Sequence, residues 1–100
     1  MAKVKRLTDK TGANISWAFQ CPGCEMWHSC NETHPDANAP TWHFNGDVER
    51  PTFSPSVLVR FPKDGQPQRC HSFVTDGQIQ FLADCTHSMA GQTVELPEME

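Results

Sequence analysis

The chain has 100 residues, of which only 37% are hydrophobic, and it carries a formal net charge of −4 with five cysteines and five histidines. So short and polar a chain makes one domain, whose core is marginal unless something staples it, and the acidic balance excludes a general nucleic-acid binder. No apolar run is long enough to span a membrane, and no apolar stretch follows the basic start, which excludes a secretory signal and predicts a cytoplasmic protein.

In chain order, residues 1–12 with Lys3, Lys5, Arg6 and Lys10 read as a flexible basic arm. Ile15, Trp17 and Phe19 alternate with Ser16, Ala18 and Gln20 and predict a strand over 15–21. Pro22-Gly23 turns the chain into a second strand over 25–30. Residues 31–40 are polar and proline-bounded and predict a loop, followed by a short strand at 42–44 and a turn at Asn45-Gly46. Pro51 and Pro55 make 47–55 irregular or edge-like. Residues 56–61 predict a strand and 62–68 a loop.

Asp76-Gly77 separates two β-rich runs and predicts a two-residue hairpin. Its register sets Thr75 opposite Gln78, Val74 opposite Ile79, Phe73 opposite Gln80 and Ser72 opposite Phe81. Alternation then puts Cys70, Ser72, Val74, Ile79 and Phe81 on one face, with His71, Phe73, Gln80, Leu82 and Asp84 on the other. A helical turn near 87–90, a last strand at 93–96 and a frayed acidic end at 98–100 complete the chain. The expectation is a mainly β, small zinc-stapled domain over 13–97, with five to seven short antiparallel strands, a zinc knuckle and little helix.

The staple is read from the cysteines. Cys21-Pro-Gly-Cys24 is a CxxC pair whose turn residues aim both sulfurs at one ion. Cys70 opens one hairpin strand, and Cys85 lies just past the end of its partner, on the face of Cys70 if the strand continues. Cys21, Cys24, Cys70 and Cys85 therefore make a Cys₄ set suited to structural Zn²⁺. His28 and His87 are rival fourth ligands, and Cys30 reads as a packed free thiol.

On the opposite hairpin face Asp84 lies diagonal to His71, close enough to orient its imidazole. Ser54 and Ser56 are candidate nucleophiles, and Ser56 opens a strand. His28, His71 and His87 with a carboxylate offer a metal-activated water as another chemistry, although neither the HExxH nor the zinc deaminase pattern is present.

The blocks Cys21-Pro-Gly-Cys24 with His28, 42–47 (WHFNGD), 51–56 (PTFSPS), 70–73 (CHSF) and 81–87 (FLADCTH) resemble a family of small tailed-phage and prophage zinc-binding proteins often mislabelled ammonia monooxygenase. More distantly, the chain is similar to the serine-peptidase-like component of bacterial ubiquitination-like operons. That resemblance implies a zinc-stapled domain with Cys21, Cys24 and Cys70 as ligands, Ser56 as nucleophile and His71 as general base, oriented by Asp84 or His87. The function expected is a peptidase- or isopeptidase-like hydrolase with a protein or peptide partner in a bacterial host's cytoplasm. The alternative is a non-catalytic zinc-stabilised interaction module, such as a phage accessory or counter-defence factor.

Overall fold

The computed structural model describes residues 2–99, which form eight strands and no helix, so that none is long and apolar enough to cross a membrane. The strands are β1 Lys5–Thr8, β2 Ile15–Cys21, β3 Met26–Thr33, β4 His43–Phe44, β5 Phe53–Lys63, β6 Gln66–Thr75, β7 Gln78–Phe81 and β8 Thr93–Glu95. They make two antiparallel sheets, β1-β2-β3 and β4-β5-β6-β7-β8, in which every strand pairs with its neighbours in sequence. Pairing of this kind needs only short hairpins and no crossover.

The core lies between the sheets. Phe19 from β2 meets Phe53, Val57, Val74, Ile79, Phe81 and Leu96, together with Cys21, Cys30 and Cys70. An aromatic row crosses the join: Trp17 to Phe44 at 4.5 Å, Phe44 to Phe53 at 5.2 Å and Phe53 to Phe19 at 6.2 Å between ring centroids. Tilted and offset contacts at such spacings suit aromatic quadrupoles.

The hairpin at Asp76-Gly77 has the expected register, and Cys70, Ser72, Val74, Ile79 and Phe81 are all buried. Elsewhere the chain is more strand-rich than its punctuation implies. Eight strands form where five to seven were expected. β1 lies within the stretch read as a flexible arm and pairs with β2, Arg6 opposite Trp17. All four of its side chains are exposed, so it has no apolar alternation to read and is held by backbone bonds. Val4 just before it is buried, and the Lys3 N–H donates to the Val48 carbonyl. At the other end the Met99 N–H donates to the Ala2 carbonyl, which ties down part of the stretch expected to fray; Glu100 lies outside the described residues.

The 62–68 loop is instead the tip of a long hairpin. Pro62 and Pro67 pair opposite each other, and Asp64-Gly65 turns the chain with φ of 53° and 76°. Two positive φ values in succession match the right-handed twist of the flanking strands. β3 also extends past Cys30 to Thr33, through a register shift at Ile15/Ser16.

Gly77 is the tighter of the two turn glycines, at φ 79° with a Cβ position 3.2 Å from Arg50 Cα. Gly77→Ala adds both backbone strain and a contact with main chain, so we expect a loss of about 1–3 kcal/mol. The shift of a urea unfolding midpoint at constant slope measures it, and an unchanged midpoint refutes it.

Candidate active site and metal centre

β5 reaches the site through an irregularity. Phe53 pairs with Val74 and Val57 with Ser72, so residues 54–56 stand opposite Phe73 alone. Such a bulge bends the strand and re-aims side chains. Val57 and Ser72 face the core, so Ser56, one residue away, faces outward. His71 is outward for the same reason. Ser56 Oγ lies 3.1 Å from His71 Nε2, and His71 Nδ1 lies 3.2 Å from Asp84 Oδ2. The carboxylate accepts the Nδ1 hydrogen, which leaves the Nε2 lone pair to accept from the Ser56 hydroxyl. Arg69 Nη1 approaches the same Asp84 oxygen at 3.7 Å. Asp84 stands just beyond β7, where the Leu82 N–H still donates to the His71 carbonyl. The chain of polar contacts is open to water, with side-chain exposure of 27% at His71 and 40% at Asp84.

On the inner side, donor atoms of Cys21, Cys24, His28 and Cys70 lie within 4.8 Å of one another and could hold a metal ion. Tetrahedral zinc–sulfur bonds of about 2.3 Å put two ligand sulfurs about 3.8 Å apart; Cys21 Sγ and Cys70 Sγ are 3.9 Å apart. The Pro22-Gly23 turn points the Cys24 N–H at Cys21 Sγ, at 3.4 Å. His28 is 4% exposed, and its Nε2 is buried without a hydrogen-bond partner. A buried imidazole nitrogen left unpaired is costly unless something fills the place.

The thiols behave as a set short of positive charge. A hydrogen bond from Cys70 is the main cause that holds Cys21 down to about 4, with His28 and the Cys24 amide adding to it. The same shared proton pushes Cys70 far up, and burial, followed by the charge on Cys21, pushes Cys24 up to about 12. One thiolate is tolerated and its neighbours resist ionising. A divalent cation removes that conflict, because it neutralises the sulfurs that bind it.

A second donor group, Cys70, Cys85 and His87, shares Cys70 with the first. The structure thus separates Cys85 from the four-donor group, in which His28 stands instead. The Cys85 thiol accepts from the His71 N–H at 3.3 Å and donates to the His71 carbonyl at 3.2 Å, as a ladder partner would. Thr86 continues the pairing with Arg69. Past β7 the chain turns over residues 82–85 rather than continuing as a strand; the turn sets Asp84 outward against His71, while Cys85 is buried and His87 half-buried. His87 is accordingly away from Ser56 and His71: its ring lies edge-on to Phe81 at 4.5 Å and over the Pro22-Gly23 turn. Cys30 is buried in the core outside both groups, and burial alone pushes its thiol up to about 12. Ser54 is exposed and has no contact with the histidine.

Fold and site together define a small all-β protein with a Cys/His cluster that could hold a metal ion on one side of a sheet and a serine–histidine–aspartate chain on the other. The chain belongs to the family described as the bacterial ubiquitination-like system serine protease (BubE), whose model matches residues 2–82. The match takes in Cys21, Cys24, His28, Ser56, Cys70 and His71 and ends before Asp84. No curated protein and no solved structure matches the chain.

Substitutions at two positions probe the inner side. A Cβ on Gly23 would stand 2.4 Å from His87 Cε1, so Gly23→Ala must displace the imidazole, at an expected cost of about 1–3 kcal/mol in thermal or chemical unfolding. For Cys85, Ser keeps a donor and acceptor beside His71, whereas Ala leaves the His71 N–H unpaired, the carbonyl keeping the Leu82 N–H. We expect Cys85→Ala to lose about 1–3 kcal/mol and Cys85→Ser clearly less, with bound metal retained in both. Loss of metal from folded Cys85→Ser would return Cys85 to the ligand set.

Proposed function

We propose that the chain is a zinc-braced serine hydrolase of the peptidase or isopeptidase class, acting on a protein or peptide in the cytoplasm of a bacterial host. The observation that carries this reading is the continuous contact Ser56 Oγ–His71 Nε2–Asp84 Oδ2, at 3.1 and 3.2 Å. Nucleophile–base pairs need a separation of about 2.6–3.2 Å, with a third group orienting the base. The serine-protease description of the matching family supports the same assignment.

In this reading His71 Nε2 takes the hydroxyl proton as Ser56 Oγ attacks a substrate carbonyl. Asp84 holds the ring in the required tautomer and steadies the imidazolium that forms. His71 then returns the proton to the departing amine, and water releases the acyl group by the same route in reverse. Cys21, Cys24, Cys70 and His28 would hold Zn²⁺ in a structural role, since three thiolates and an imidazole are the donor set of structural rather than catalytic zinc. The soft donor set selects zinc over hard cations.

Labelling by a fluorophosphonate probe tests the serine. Ser56→Ala should abolish labelling, and His71→Ala should slow it by about 10²- to 10⁴-fold, the usual share of a general base. An unlabelled, well-folded, metal-loaded protein sinks the hydrolase reading and leaves the binding-module alternative. Elemental analysis should find one zinc per chain, and a strong chelator should lower the unfolding temperature. A metal-free protein of unchanged stability sinks the brace.

A further inference from the structure

The outer face of the β5–β6 hairpin carries charge that the serine–histidine–aspartate chain does not use. Alternation puts Ser56, Leu58 and Arg60 on one face of β5, and Phe73, His71 and Arg69 follow on the same face of β6. Leu58 pairs with His71 and Arg60 with Arg69, so two permanently charged guanidinium groups are placed directly across the ladder. Like charges in that arrangement destabilise a sheet. Nothing in the fold fully relieves them. Arg69 shares one Asp84 oxygen with His71, and Arg60 has no carboxylate partner among the described residues. Both arginines are exposed, and both border an open groove of about 720 Å³ at this end of the hairpin, with Pro62 and Pro67 from their own face and Phe61 and Gln68 from the other.

We propose that Arg60 and Arg69 form an anion subsite of the active site, which takes a carboxylate carried by a peptide substrate two or three residues from the bond to be cut. The proposal rests on the serine-hydrolase reading for its purpose, but not for its binding chemistry. The arginine rung lies two residues along the strands from the His71 rung, about 7 Å at the usual strand rise. A substrate laid extended along the same face advances by the same rise, which sets the two- or three-residue spacing. Guanidinium groups bind carboxylates through paired, charge-assisted hydrogen bonds, and two of them on one rung of a sheet select an acidic side chain or a chain-terminal carboxylate over an amide. The neighbouring rungs differ in kind: Leu58 and Phe73 are exposed apolar residues beside Ser56 and His71. The face is therefore apolar at the reacting serine and cationic one rung beyond the histidine.

The test uses the full-length, zinc-loaded protein with two blocked hexapeptides, acetyl-Gly-Gly-Glu-Glu-Gly-Gly-amide and its Gln-Gln counterpart. Binding is followed by NMR on the Arg60 and Arg69 side-chain N–H groups, in Ser56→Ala protein so that no cleavage intervenes. The acidic peptide should bind about ten-fold or more tighter, about 1.4 kcal/mol or more. That preference should shrink with added salt, because exposed charges are screened. Arg60→Gln, an exposed change outside the Ser56–His71–Asp84 contacts, should bring the two peptides within about two-fold. Equal affinity of the two peptides in the parent protein overturns the subsite, as does a preference that survives both Arg60→Gln and Arg69→Gln. Loss of the preference in Arg60→Gln upholds the subsite even if Ser56 proves unreactive, so failure of the serine chemistry and failure of the subsite are read separately.

Discussion

The contact between Cys21 and Cys70 is the point on which the molecule turns. Cys21 ends β2 in the three-stranded sheet, and Cys70 lies inside β6 in the five-stranded one, so their 3.9 Å approach joins two layers that meet elsewhere through side-chain packing and a few peripheral hydrogen bonds. The chain has few large apolar residues with which to make that join, and several of those it has (Trp27, Leu58, Phe73) are on the surface. A domain of this size is short of buried area. Ligand bonds to a metal ion supply energy on the scale of a whole small domain's stability, about 10–16 kcal/mol in small zinc folds. The sulfurs are poor partners for one another when ionised, so the same atoms that join the sheets call for a cation between them.

The pleat of β6 carries this constraint across the sheet. Adjacent residues in a strand point to opposite faces, so fixing Cys70 inward fixes His71 outward. The relation repeats at the other end of the contact, where Cys85 turns inward and Asp84 outward. Cys85 adds a direct tie, since its thiol pairs with both backbone groups of His71. Each polar residue of the outer chain except Ser56 is thus the sequence neighbour of a cysteine. The cysteine cluster and the outer site form one piece of geometry, and the position of the imidazole is set together with that of the sulfurs.

Much of this was legible in the sequence where one local signal decided the outcome. Asp76-Gly77 fixed a hairpin register, and from the register came the burial of Cys70 and Ser72 and the pairing of His71 with Asp84. The CxxC turn likewise marked its own cluster. Where two signals competed, the stronger punctuation misled. Pro62 and Pro67 outweighed Asp64-Gly65, which carries the same turn chemistry as Asp76-Gly77. The four exposed side chains of β1 offered no periodicity at all. The approach of Ser56 to His71 depends on a bulge of three residues against one, and no spacing rule counts that out in advance. The place of His28 has a similar origin: the sequence offered both His28 and Cys85 as fourth donors, and the β2–β3 register turns His28 inward, opposite Phe19, to join Cys21, Cys24 and Cys70, while Cys85 shares Cys70 with His87 in a second group.

The exposure of the outer site bears on how it could work. Between unit charges about 4 Å apart, attraction is worth about 1 kcal/mol in bulk water and about 4 kcal/mol at the effective dielectric of a protein surface. With Asp84 two-fifths exposed, the free protein sits toward the weak end of that range, and the carboxylate orients the imidazole more than it stabilises an imidazolium. A substrate lying over Leu58 and Phe73 would cover the two apolar residues that flank the histidine and exclude water from the Ser56–His71–Asp84 line. Each electrostatic contact in that line then strengthens as the site closes. An extended peptide can do this on a flat sheet face where a small soluble ester cannot, which favours a macromolecular substrate. The apolar exposure that looks wasteful in a chain so short of core has a use if the missing cover is the substrate itself.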